Sequence, residues 1–137
     1  TDSGELGFWL NAARRADVFG TTLYRVVWNK TMDYFKYPIP ARFFWMKANL
    51  LHLFYPGKKI VVSELQAEPW GPKMIYETLP QEHFKSMPFE QFCDNIEYAR
   101  QVGFPEVYLW GAEWWWWLKE KYNIPEFWNY ARQLFGS

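Results

Sequence analysis

The chain has 137 residues, half of them hydrophobic and 23% aromatic, with ten Trp. That length supports one domain with a sizeable core. Fifteen basic residues balance fifteen acidic ones, and no basic stripe argues for nucleic acid as a partner. Cys93 is the sole cysteine, so no intrachain disulfide framework exists. His52 and His83 lie far apart in sequence, outside any ligand-like spacing, so neither a metal nor another cofactor is expected. No segment approaches the roughly 18 continuous apolar residues of a membrane span. The densest run, Val107 to Leu118, is short and carries Glu113.

In chain order, Asp2 and Glu5 have capping-box spacing. Trp9, Ala12, Ala13 and Ala16 then recur at helical spacing, with Arg14 and Arg15 near the end, where cations suit the helix dipole. From Asp17 to Val27 the chain is rich in β-branched and aromatic residues, which favours a strand. Its nearly continuous apolar character predicts a parallel strand buried on both faces. Trp28 to Pro40, with Pro38 and Pro40, reads as a loop. Ala41 to Phe54 reads as a helix that packs through Phe43, Met46, Leu50, Leu53 and Phe54, with Arg42, Lys47 and Asn49 facing water.

Lys59 to Leu65 is a second strand that ends in a carboxylate, Glu64. Gln66 to Met87 is then a long loop punctuated by Pro69, Pro72 and Pro80. Phe89 to Gly103 is a helix with Phe92, Cys93, Ile96 and Ala99 on its packed side and Asn95 on the other, so Cys93 is expected to act as a small hydrophobe. Glu106 to Trp110 is the third strand, Gly111 to Trp117 a loop or helix start, and Pro125 to Phe135 the last helix.

Helices alternate with strands, so each crossover carries a helix and the sheet is parallel. No GxGxxG or GxxxxGK[ST] follows a strand, which removes support for nucleotide-binding open sheets. Polar and aromatic residues collect after the strands, as on the active face of a barrel. A full (β/α)8 barrel takes about 250 residues, so three strands make roughly half of one. The start at Thr1, without Met, is expected to be a cut in a longer chain, with residues 1–137 forming a single half-barrel segment and the N-terminal half missing.

Tyr24, Glu64 and Trp110 fall at comparable places on three successive strands. In this the chain resembles the C-terminal half of a clan A glycoside hydrolase, of the cellulase-like TIM-barrel superfamily. In that family the nucleophilic Glu ends the seventh strand, as Glu64 does in Val61-Val62-Ser63-Glu64. A Trp commonly ends the eighth, as Trp110 does in Val107-Tyr108-Leu109-Trp110-Gly111. The resemblance implies retaining hydrolysis of O-glycosyl bonds when the barrel is complete. The family's acid/base Glu follows Asn on the fourth strand, and no part of this sequence corresponds to that strand.

Retaining glycosidases need two carboxyls about 5–5.5 Å apart, one ionised and one holding a proton. Glu64 is the candidate nucleophile. Strand alternation places Ile60, Val62 and Glu64 on one face. Tyr24 is placed to donate a hydrogen bond to Glu64 and hold its pKa down. Arg25 should point away and pair with a helix. Glu68 is a rival acid or a sugar-hydroxyl acceptor; Gln66 and Trp70 are candidates for sugar contact. Trp110 is a candidate sugar platform, and Glu113 could bind hydroxyls or replace a missing acid. Of Trp114 to Trp117 at least one is expected to meet the site, and Trp114 is the candidate. The alternatives are a non-catalytic carbohydrate-binding module and a structural half-barrel that forms a homo-oligomer to cover its strand edges.

Overall fold

A computed structural model describes residues 6–136. The expected capping pair Asp2 and Glu5 lies outside the described residues. In order, the elements are α1 (Leu6–Arg15), β1 (Val18–Leu23), β2 (Val26–Asn29), β3 (Asp33–Lys36), α2 (Ala41–Phe54) and β4 (Lys59–Gln66). A 3-10 turn (Ile75–Glu77), α3 (Pro80–His83), α4 (Phe89–Val102), β5 (Val107–Trp110), α5 (Ala112–Tyr122) and α6 (Glu126–Leu134) follow.

The fold is mixed α/β, built on a three-stranded sheet ordered β1-β4-β5 with both pairings parallel. The sheet is open among the described residues, not a closed barrel. Successive parallel strands lie side by side, and helices α2 and α4 make the two crossovers. Same-handed crossovers between neighbouring strands put both helices on one face.

That covered face is the core. Phe19, Thr21 and Leu23 of β1 sit beside Ile60, Val62 and Leu65 of β4, all buried. Trp9 of α1 meets Phe19 at 4.9 Å, and Phe44 of α2 meets Tyr98 of α4 at 6.3 Å. The opposite face carries Val18, Ser63, Tyr108 and Trp110, all exposed, and half-buried Gly20, Thr22 and Glu64. Burial on both faces, expected from the apolar run, holds only in part: Val61 and Gln66 of β4 are buried on this side as well, while the other residues named here are half-buried or exposed.

Several expected loops and faces also change. Trp28 to Pro40 contains most of an antiparallel hairpin, with Trp28 paired to Tyr34 and the preceding Val27 to Phe35. Its turn is closed by Asn29 Oδ1, which accepts from the backbone N–H of Thr31 and Met32 at 2.9 and 2.7 Å, and by Asp33 at φ 57°. The long loop after β4 holds the 3-10 turn and α3, and Gly111 to Trp117 is mostly the start of α5. Helix α2 packs through Ala41, Phe44, Ala48 and Leu51, not through Phe43, Met46 and Leu53, which are exposed. Lys47, expected in water, is buried with its ammonium 4.1 Å from the Trp9 ring centroid, a cation–π contact. Asn95 is likewise buried, donating to the Gln66 carbonyl at 2.9 Å. Cys93 packs against the core, and burial pushes its thiol pKa up. No helix among the described residues is long and apolar enough to cross a membrane.

Candidate functional site

The middle strand does not keep its alternation. Opposite β1, Thr21 pairs with Val62 but Thr22 pairs with Glu64; opposite β5, Val62 pairs with Val107 but Leu65 with Leu109. Both neighbours count one residue more on β4, so Ser63 is the extra residue of a β-bulge. A bulge breaks the two-residue period and re-aims the side chains that follow. Glu64 thus shares the open face with Thr22, while Ile60 and Val62 lie beneath the helices. The expected common face of Ile60, Val62 and Glu64 is corrected by this one-residue slip.

Two small residues permit the bulge. The Ser63 hydroxyl donates to the Thr21 carbonyl at 3.2 Å, satisfying an oxygen that a broken ladder would leave. Gly20 lies across from it, where a Cβ would stand 3.0 Å from Ser63 Cβ. A glycine inside a strand commonly marks such a close approach.

Tyr24 follows β1 and reaches over β4. Its hydroxyl donates to Glu64 Oε2 at 3.1 Å, the hydrogen bond expected from the strand ends. Burial, then the negative charge of Glu64, the hydrogen bond to it and the charge of Glu68 raise the Tyr24 pKa well above its usual value. Tyr24 therefore keeps its proton and Glu64 is the acceptor. The exposed ring of Trp70 meets Tyr24 edge-on, with centroids 5.5 Å apart.

Glu68 belongs to the same rim. Gly111, at φ 138°, lets the β5–α5 turn press against it: a Cβ on Gly111 would lie 2.7 Å from the Ala67 carbonyl and 2.8 Å from Glu68 Cβ. The Trp110 indole N–H donates to the Glu68 carboxylate, and the Ala67 N–H donates to the Trp110 carbonyl at 3.0 Å. Burial raises the Glu68 pKa; the Trp110 bond opposes this, and the charge of Glu113 on the first turn of α5 adds to it. Trp110 is 51% exposed, so its ring is a surface on the rim and not a core plug.

Gln66 and Trp114 are placed elsewhere. Gln66 is fully buried: its Oε1 accepts from the N–H groups of Arg25 and Val26, both at 2.9 Å, and its Nε2 donates to the Val26 carbonyl at 2.6 Å. The side chain acts as a strand's worth of pairing for the chain entering β2, and these bonds occupy the amide that was expected to meet sugar. Trp114 is buried, donates to His83 Nδ1 at 3.1 Å and packs on Phe127 at 4.8 Å. It belongs to the core under the loop. Trp115, also buried, donates to the Ala67 carbonyl at 2.6 Å and ties α5 to the site loop. Arg25 does reach α4, but through the Asp94 carbonyl at 3.1 Å and a Tyr98 ring 4.2 Å away, not through a carboxylate.

A groove of about 140 Å³ opens between Tyr34, Pro69, Gly71, Ile75, Thr78 and His83, and neither Glu64 nor Glu68 lines it. Among the described residues no group of His, Cys, Asp and Glu is placed to hold a metal ion. Sequence reasoning missed Gly20, Ser63, Gly111 and Trp115. The signal for the first and third was present, since a glycine within or ending a strand marks close backbone approach.

No known protein family matches the chain, nor does any curated protein or solved structure.

Proposed function

We propose that this chain forms one wall of a retaining glycoside hydrolase site on a partial (β/α)8 barrel, with Glu64 as nucleophile. The observation that carries the reading is the bulge that turns Glu64 out of the core and against the Tyr24 hydroxyl. Two further features support it. Sequential parallel strands with their helices on one face suit a singly wound barrel better than a doubly wound sheet, whose helices cover both faces. The exposed rings of Trp70 and Trp110 flank the carboxylates, as apolar sugar faces require.

In this reading Tyr24 binds Glu64 Oε2 and orients the carboxylate, and the nucleophilic oxygen attacks the anomeric carbon. The bond to the leaving-group oxygen breaks as a glycosyl ester forms at Glu64; water then cleaves that ester. Glu68, held by the Trp110 indole, accepts from sugar hydroxyls at the rim, with Glu113 beside it. The proton donor that the resemblance puts on an earlier strand has no counterpart among these residues.

The test is turnover of activated aryl glycosides by the complete protein, with and without Glu64→Ala. A loss of about a thousandfold or more is expected for a covalent nucleophile. A fluorosugar that traps the ester should add its mass to the peptide carrying Glu64. Unchanged turnover in the variant would remove the assignment. Retained sugar binding by a wild-type protein without turnover would instead favour a carbohydrate-binding wall, for which the exposed Trp70 and Trp110 suffice.

A further inference from the structure

The groove beside the site loop is built from two segments that the strands deliver to one end of the sheet. Tyr34 comes from the β2–β3 hairpin, which follows β1, and the rest of the lining comes from the loop and α3, which follow β4. Tyr24 and Glu64 lie at the same ends of the same two strands. Trp70 stands between the groove and the carboxylate. Its N–H donates at 3.2 Å to the hydroxyl of Ser86, a buried residue of the groove lining. Its exposed ring meets Tyr24, which holds Glu64.

The lining has the chemistry of a site for an uncharged polyhydroxyl ring. Pro69, Ile75 and the ring of Tyr34 supply apolar surface. Gly71 makes room for Tyr34, since a Cβ there would stand 3.1 Å from the Tyr34 hydroxyl. That hydroxyl makes no hydrogen bond to another described residue. Burial, then the charge of Glu82, raises its pKa against an opposing Lys85, so it meets the groove as a donor.

Thr78 supplies a second donor. The Trp114 indole donates to His83 Nδ1, so Nε2 carries the ring proton and donates to Thr78 Oγ1 at 2.8 Å. Thr78 accepts there and keeps its own proton for a ligand. Glu82 supplies an acceptor, and Lys73, the other charged residue of the lining, balances it, so the groove favours neither an anion nor a cation. At about 140 Å³ it is smaller than the roughly 300–1,000 Å³ clefts that enclose drug-sized ligands, a size for one ring.

We propose that this groove is a distal subsite for one sugar ring of a glycan whose reacting unit lies at Glu64, so that the substrate is an oligosaccharide and not a single-sugar glycoside. The class of ligand rests on the glycoside reading of Glu64. Rings of one chain rising from Glu64 cross Trp70, on which a sugar packs its apolar face, and the next ring enters between Tyr34 and Thr78. Binding energy from that remote ring helps to position the reacting one.

Amide NMR of the complete protein, carrying Glu64→Gln so that sugars are not consumed, tests this with cellotetraose, xylotetraose, mannotetraose and galactotetraose. One of the four should shift the Gly71 and Thr78 amides on titration, and the matching monosaccharide should not at the same concentration. Tyr34→Phe should raise that dissociation constant about five- to tenfold, the loss of one hydrogen bond. Gly71→Val, which fills the space before the Tyr34 hydroxyl, should raise it further, with amides away from the groove unmoved in both variants. No shift at Gly71 and Thr78 with any of the four sugars, or a dissociation constant indifferent to both substitutions, would overturn the proposal. The two readings fail separately. Groove shifts together with unchanged turnover in Glu64→Ala would keep the subsite and remove the nucleophile. Lost turnover in Glu64→Ala without those shifts would keep the nucleophile and remove the subsite.

Discussion

The two faces of the sheet are made by the same strands and have opposite chemistry. On the covered face Phe19, Leu23, Ile60, Val62 and Leu65 are closed over by helices. On the open face the same strands present Gly20, Thr22, Ser63, Glu64, Tyr108 and Trp110. A regular β4 would have placed Glu64 with Ile60 and Val62, burying a carboxylate among hydrocarbon. One inserted residue changes its side. The lesson is that a single backbone irregularity, and not a change of composition, separates the packing face from the reactive one.

The most severe way to break that distinction is Gly20→Val, which fills the space the bulge needs, since a Cβ on Gly20 already stands 3.0 Å from Ser63 Cβ. Flattening the bulge with Ser63 retained turns Glu64 toward the core, where an unpaired carboxylate is strongly unfavourable. A loss of about 3–5 kcal/mol in unfolding free energy by urea denaturation, or failure to fold, is expected. Gln66→Ala comes next. It strips the partners from two backbone N–H groups and one carbonyl in a fully buried place, so chemical denaturation should show a loss of about 3 kcal/mol.

A third experiment uses pH on the loop that carries Glu68 and Trp70. His83 is buried between Trp114, which donates to its Nδ1, and the Ile75 carbonyl and Thr78 hydroxyl at its Nε2. Because the Trp114 indole can only donate, Nδ1 must keep its lone pair and Nε2 carries the proton. Burial lowers the His83 pKa below its ordinary 6.5, against smaller opposing effects of the Ile75 bond and Glu82. The folded chain therefore binds fewer protons than the unfolded one at mildly acidic pH. Stability from this site is full above the ordinary value and falls as pH drops through it toward the folded one. Urea midpoints between about pH 8 and pH 5 should decline in the wild type and decline less in His83→Gln.

The smallest effect is expected from Tyr24→Phe. It removes the hydroxyl on Glu64 Oε2 and keeps the ring on Trp70, so stability should fall by only about 1 kcal/mol. If Glu64 is the nucleophile, the same change lowers kcat for aryl glycosides more than it alters KM, since it loosens the orientation of the attacking group.

Much of the architecture is legible without coordinates. The β-branched runs at Val18 and Ile60 and the Val107 run mark parallel strands, and Pro40, Pro88 and Gly103 mark helix ends. Tyr24 and Glu64 could be paired because both end neighbouring strands. Trp114 is the candidate for the site but lies in the core, because four consecutive Trp point in every direction around a helix and local pattern does not say which one faces in. The hairpin at Val26 to Lys36 was hidden by the prolines after it. Its turn depends on one Asn side chain and one left-handed Asp.

The sequence by itself determined where the three parallel strands and the helices α2, α4 and α6 lie, because periodicity and the local effects of Pro, Gly and β-branched residues act over a few residues. It also determined that a carboxylate ends the middle strand. Only the tertiary structure decided which way that carboxylate faces and which stripe of α2 is covered. Both depend on what lies across the sheet: room at Gly20 for Ser63, and Trp9, Phe19 and Tyr98 around Phe44. A helix with two apolar stripes cannot choose between them until its neighbours arrive. A strand cannot reveal a bulge until its register on two partners is set.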